Sequence, residues 1–155
     1  MNRSVRDDLA LLVIRLLGLV LAFEHGWGKV TALATGEGGR LIQGVAALGF
    51  PMPGLFAWAA ALSEFAGGLA VGLGFGARVG AMFAAFTMGV AAFHRHHAIE
   101  QILASLGLIA VPEETLKGWG NPALASAYFL VFTALALTGP GRFALERVVA
   151  RGKRG

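Results

Sequence analysis

Arg15, His25 and Lys29 interrupt the first long apolar run of the chain, Glu64 interrupts the second, and Arg78 stands at the head of the third. Ionisable groups at membrane depth are costly, so they face an interior and find a partner or a ligand. A cation, an imidazole and a carboxylate in one apolar setting can form a register-setting ion pair, hold a polar head group or pass a proton. At about 100° per residue, Arg15, Gly18, His25 and Lys29 share one helical face, and Glu24 lies opposite. Helix rise places Arg15 about 21 Å below Lys29 and Glu64 about 16 Å below Pro53. With Lys29 and Pro53 at one level, Arg15 and Glu64 differ by about 5 Å in depth. The spacing therefore predicts an Arg15–Glu64 pair in the interior, with His25 and Lys29 above it bordering an outward-facing pocket. Arg78 can snorkel to the inner surface and joins the four as a pocket candidate for a ligand or a proton.

A second cluster follows the third run. If that helix continues, His94, His97 and Glu100 share a face at i, i+3, i+6 spacing, and two imidazoles with a carboxylate could hold a metal. A solvated outer loop competes with that reading, and no second set of ligands accompanies it. The chain has no Cys, which excludes a disulfide framework, a zinc–thiolate site, a cysteine-held Fe–S cluster and a dithiol relay. Neither a nucleotide loop, a zincin motif nor a nucleophile elbow occurs.

Composition shows what must position these groups. Hydrophobic residues are 56% of the 155 and charged residues 14%, with a mean hydropathy of +0.68. Soluble domains carry about a quarter charged residues, so the surface here is suited to lipid. The net charge of +4 fits the orientation of membrane segments better than nucleic-acid binding, because the basic residues bunch at the chain ends. A bilayer core takes about 20 apolar residues per helix. Helices are expected at about 9–29, 53–76, 78–95 and 122–138, with a basic tail at 142–155. The run 99–111 is short for a span, which predicts an interfacial or re-entrant segment there.

Four spans with both termini cytoplasmic put Arg3, Arg6, Arg78, Arg142, Arg147, Arg151, Lys153 and Arg154 inside and only Lys29, Arg40, Arg95 and Lys117 outside. The same arrangement puts Trp27, Trp58 and Trp119 at the outer interface, where amphipathic rings settle. The first run is expected to be a retained helix rather than a cleaved signal, since Arg15 interrupts it and Ala32-Leu33-Ala34 lies far beyond its end. Ala60, Glu64, Gly68, Gly72 and Gly76 recur every four residues, a small-residue stripe that lets helix backbones approach. The expected fold class is thus all-α: an integral membrane four-helix bundle forming a single membrane domain over 1–155.

Arg15, then Phe23 with His25-Gly26 and Lys29, resembles the first-helix signature of the DoxX family. Gly49-Phe50-Pro51, Glu64 with Gly67-Gly68, then Gly74 and Arg78, is similar to its second block, and Gly139-Pro140-Gly141-Arg142 to its ending. The match runs in order over about 9–142; His94-Arg95-His96-His97 and the long segment 98–120 depart from it. The resemblance implies a four-helix protein of the bacterial inner membrane associated with redox systems. One related DoxD/DoxA pair is a thiosulfate:quinone oxidoreductase, and other members are linked to complexes handling thiol or oxidative stress.

Three functions compete on these grounds. The first is a quinone-linked redox subunit, with His25, Lys29, Glu64 and Arg15 as carbonyl donor, electrostatic stabiliser, proton relay and relay partner. Lacking Cys, such a subunit takes its electrons from a redox partner protein or a bound cofactor. The second is a non-catalytic membrane anchor or assembly subunit, self-association being left open. The third is a small-solute or proton pathway.

Overall fold

A computed structural model describes residues 4–152, without the side chains of 151 and 152. The described residues form helices and connecting turns, with no strand among them. The first helix, α1, runs Val5–Ala34. Ser4 caps it: Oγ of Ser4 accepts from the Asp7 amide at 3.2 Å, and the Asp7 carboxylate accepts from the Ser4 amide at 3.0 Å. This reciprocal box satisfies two orphan donors and starts the helix earlier than apolar content alone suggests. Inside α1, Leu21–Gly26 forms a π-turn.

A short helix follows, α2 at Gly39–Ala47, where the apolar runs predicted none. Next is α3, Pro53–Leu73, with Pro53 in its first turn and Gly74 ending it at φ +74°. Proline suits that start because its missing N–H would be unpaired there anyway. Helix α4 spans Ala77–Arg95 and ends in a second π-turn, Val90–Arg95. Then come α5 (Ala98–Ser105), α6 (Glu113–Trp119), α7 (Ala123–Thr138) and α8 (Leu145–Gly152). Eight residues of α5 extend only about 12 Å, too short to cross a hydrocarbon core.

Helices α1, α3 and α4 are each long and apolar enough to span a bilayer. Helices α6 and α7, bent at 49° to each other, make a fourth crossing if they count as one broken span. The chain is inside-out by the standards of soluble proteins. Val13, Phe83, Phe86, Leu130 and Leu137 are exposed, whereas Ala57, Ala61, Ala81 and Ala84 are fully buried. Lipid tails are as apolar as Leu, so large apolar side chains gain nothing by leaving lipid; small residues sit where backbones must approach. A Cβ on Gly68 would stand 2.5 Å from the Gly18 carbonyl oxygen, and one on Gly80 2.7 Å from that of Gly67. These contacts lock α1 to α3 and α3 to α4. Gly68 and Gly72 of the stripe meet α1; a Cβ added at Gly76, beyond the helix, would meet nothing within 4 Å. Tyr128, Phe132 and Leu135 of α7 close the core against Leu21, Val71 and Ala84.

Candidate functional site

Glu64 has 2% of its side chain exposed, and Lys29 Nζ lies 2.5 Å and 2.6 Å from its two oxygens. Local geometry puts them together. At the π-turn of α1, Gly26 lies so close to α3 that an added Cβ would come within 2.5 Å of the Phe65 nitrogen and 2.8 Å of the Glu64 carbonyl carbon. Three residues further on, the Lys29 side chain drops onto the carboxylate. A buried carboxylate without a cation would be strongly penalised, and this contact supplies one.

Arg15 does not pair with Glu64, contrary to the sequence expectation. Only 2% exposed, it donates from Nε to the Val71 carbonyl at 2.9 Å, from Nη2 to that of Gly72 at 2.9 Å and from Nη1 to that of Pro140 at 3.3 Å. Val71 and Gly72 lie in the last turn of α3, where carbonyls are short of backbone donors (Val71 has only the Gly74 amide at 3.2 Å) and the helix dipole favours a cation. Arg15 therefore caps α3 and ties it to the Gly139–Gly141 turn. The depth argument failed at its reference level. The antiparallel register that matches Gly18 to Gly72 and Gly26 to Glu64 sets Pro53 opposite about residue 37, about 12 Å above Lys29.

His25 leaves the face shared with Arg15. The π-turn contains one residue more than an α-turn, which rotates the remainder of α1 by about 100° relative to an ideal wheel. The imidazole meets Tyr128 of α7 edge-to-face, centroids 6.1 Å apart. Arg78 lies at the other end of the bundle, its guanidinium against Gly139. Asp8 is there too, buried, accepting from the Arg142 amide at 3.0 Å, and Glu146 accepts from the Gly76 amide at 3.0 Å. The polar residues thus divide into two clusters at opposite ends of the bundle: Lys29 with Glu64 at one, and Arg15, Arg78, Asp8 and Glu146 at the other.

The Lys29–Glu64 pair borders a cavity of about 440 Å³. Its walls are mainly apolar and include Val45 and Leu48 of the α2 segment, Phe56 and Ala60 of α3, and Phe83 and Phe86 of α4. Arg40, Arg95 and His96 also line it; His25, Arg15 and Arg78 do not. His96 Nδ1 lies 2.6 Å from the Trp119 carbonyl oxygen. A carbonyl only accepts, so that nitrogen carries the proton, and the ring is tethered to the end of α6. Gln101 completes the tether, donating to the His96 and Gly120 carbonyls at 2.7 and 2.8 Å. Arg40, Arg95 and His96 were missed as candidate site residues. Leu41 and Val45, one helical turn apart with Leu48 beyond, are the signal that an amphipathic helix covers this cavity.

The proposed metal trio does not gather. The helix stops continuing at His97, whose φ is +51°, so the assumed common face is broken. His94 Nε2 is 3.1 Å from the Leu48 carbonyl oxygen, while His97 Nδ1 faces Glu100 at 3.5 Å and its ring stacks on Trp119. Among the described residues no three His, Cys, Asp or Glu side chains come together as a metal site. The Glu100 carboxyl is held below the ordinary glutamate range, first by its backbone hydrogen bond and then by His97.

The sequence model of the DoxX family matches residues 10–97, from the first span through both π-turns. The chain belongs to the DoxX family. It is 32% identical over 143 residues to the inner membrane protein YqjF of Escherichia coli (strain K12), covering 92% of this chain and 94% of that one. It is 30% identical over 138 residues to the inner membrane protein YphA of the same organism, covering 88% of each. No solved structure is a significant match. This DoxX protein is accordingly a multi-pass protein of the bacterial inner membrane. Within the matched range, Glu64 and Lys29 meet at one end of the fold and Arg15, Gly74 and Arg78 lie at the other.

Proposed function

We propose that the Lys29–Glu64 cavity receives the ring of a lipid-soluble quinone, and that the protein is the quinone-binding membrane subunit of a redox complex. The observation that carries this reading is a buried carboxylate, held by a lysine one-third exposed, at the edge of an apolar cavity. The volume of about 440 Å³ lies within the range of small-molecule sites. Lys29 is positioned to donate to a ring carbonyl, Glu64 to hold a proton beside it, and the phenylalanines to exclude water and bind the apolar body. When bound, a quinone supplies two-electron, two-proton chemistry; with no Cys in the chain, the electrons are exchanged with a partner protein or bound cofactor. The test is equilibrium dialysis of decylubiquinone against protein in nanodiscs, with empty nanodiscs as background. Saturable binding that Lys29→Met weakens supports the reading. Binding that does not saturate, or that ignores Lys29, overturns it in favour of an anchor or assembly subunit.

The reading includes a topology of four crossings with both ends cytoplasmic, which puts the cavity near the outer face. It rests on the basic residues and tryptophans of the sequence; Arg3, Lys153 and Arg154 of that count lie outside the described residues. Since the chain has no Cys, Val148→Cys gives a background-free probe. Labelling by an impermeant maleimide only after permeabilisation is expected; labelling of intact cells would overturn the topology.

A further inference from the structure

The cavity wall carries more positive charge than its lone carboxylate balances. Lys29 is engaged by Glu64, which leaves Arg40 on α2 and Arg95 at the end of α4. Among the described residues neither arginine side chain makes an ion pair or hydrogen bond. Both are exposed, yet both border a cavity whose other walls are mostly aliphatic and aromatic. Phe83 and Phe86 are themselves exposed on the lipid-facing side of α4, so apolar wall continues from the arginines toward the hydrocarbon. Two unpaired guanidiniums bordering one apolar groove match an amphiphile with a charged head.

We infer that this cavity binds an acidic amphiphile as its anion, the head between Arg40 and Arg95 and the body along Phe56, Phe83 and Phe86. Arginine suits the role because it stays charged and donates in a planar fork that matches carboxylate, phosphate or phenolate oxygens. The inference rests on the cavity described above, but not on its ligand being a quinone. A hydroxyquinone and a fatty acid share the required chemistry of an anionic head on an apolar body. A neutral quinone lacks it.

Three probes separate these cases by equilibrium dialysis at pH 7 against protein in nanodiscs of neutral lipid. They are 2-hydroxy-1,4-naphthoquinone, which is an anion at that pH, its uncharged 2-methoxy analogue, and dodecanoate. The hydroxy compound is expected to bind at least about tenfold more tightly than the methoxy compound, and Arg40→Gln with Arg95→Gln to abolish that preference. Equal binding of the two rings, with dodecanoate unbound, overturns the acidic-head inference and leaves the quinone reading standing. Arginine-dependent binding of dodecanoate with neither ring bound supports the inference and removes the quinone reading. Anion binding that survives both substitutions, or that empty nanodiscs reproduce, overturns the inference. Circular dichroism of the double variant, whose side chains are both exposed, checks that its helices are retained.

Discussion

Lys29 lies one helical turn beyond Gly26, and the backbone contact of Gly26 with α3 is what lets its ammonium reach both oxygens of Glu64, at 2.5 and 2.6 Å. The relationship orders the end of the molecule that holds the cavity. A close helix–helix approach sets the pair, the pair satisfies a buried carboxylate, and the carboxylate borders the cavity.

Removing one partner of this pair strands the other. Lys29→Met should lower unfolding free energy toward the smaller end of the about 3–5 kcal/mol typical of broken buried pairs, because Lys29 is partly exposed. Lys29→Met combined with Glu64→Leu should recover much of the loss. Denaturation in detergent measures both; a double variant no more stable than the single one would contradict the pairing.

Arg15 and Glu64 should be energetically independent. Arg15→Met leaves the carbonyls of Gly72 and Pro140 without a donor and that of Val71 with only the Gly74 amide at 3.2 Å, at about 1–3 kcal/mol for each one left unsatisfied. A double-mutant cycle with Glu64→Gln should be additive within about 0.5 kcal/mol, as for residues sharing no partner. Coupling well above that would restore the pair expected from helix spacing.

The glycines near Lys29 differ sharply in what they tolerate. Gly26→Ala would drive a methyl group into the Phe65 backbone, whereas Gly28→Ala meets nothing within 4 Å. Gly26→Ala should therefore lower thermal stability and weaken ligand binding at the Lys29–Glu64 cavity together. Gly28→Ala should hold or slightly raise stability, since Ala is the better helix former. Equal effects of the two would show that α1 does not rest on α3 at Gly26.

Glu100, outside the long spans, should titrate below a free glutamate. A carboxyl with a lowered folded-state pKa contributes stability above its unfolded pKa and loses that contribution as pH falls through the folded value. Carbon-13 NMR of labelled protein tracks the titration. His97→Ala should raise the midpoint only in part, because the larger cause is the backbone hydrogen bond; full reversion would reverse that order.

Sequence reasoning singled out the ionisable residues of the apolar runs and reached the all-helical membrane class, because the cost of burying charge and the length of an apolar run are properties of a segment alone. Glu64, Lys29 and Arg15 stood out in that way, and the DoxX pattern ran through the same positions. Which cation meets Glu64 was not legible. It depends on the rotation added at Leu21–Gly26 and on where α1 stops relative to Pro53, a register fixed by contacts between residues about 40 to 55 positions apart. The His94, His97 and Glu100 trio failed for a related reason. One left-handed residue, His97, ends the periodicity that would have aligned them. Helix α2 did leave a trace in Leu41 and Val45, but nine residues are too few to stand out as an apolar run. Its place over the cavity, and the arginine it brings there, come from packing against α3.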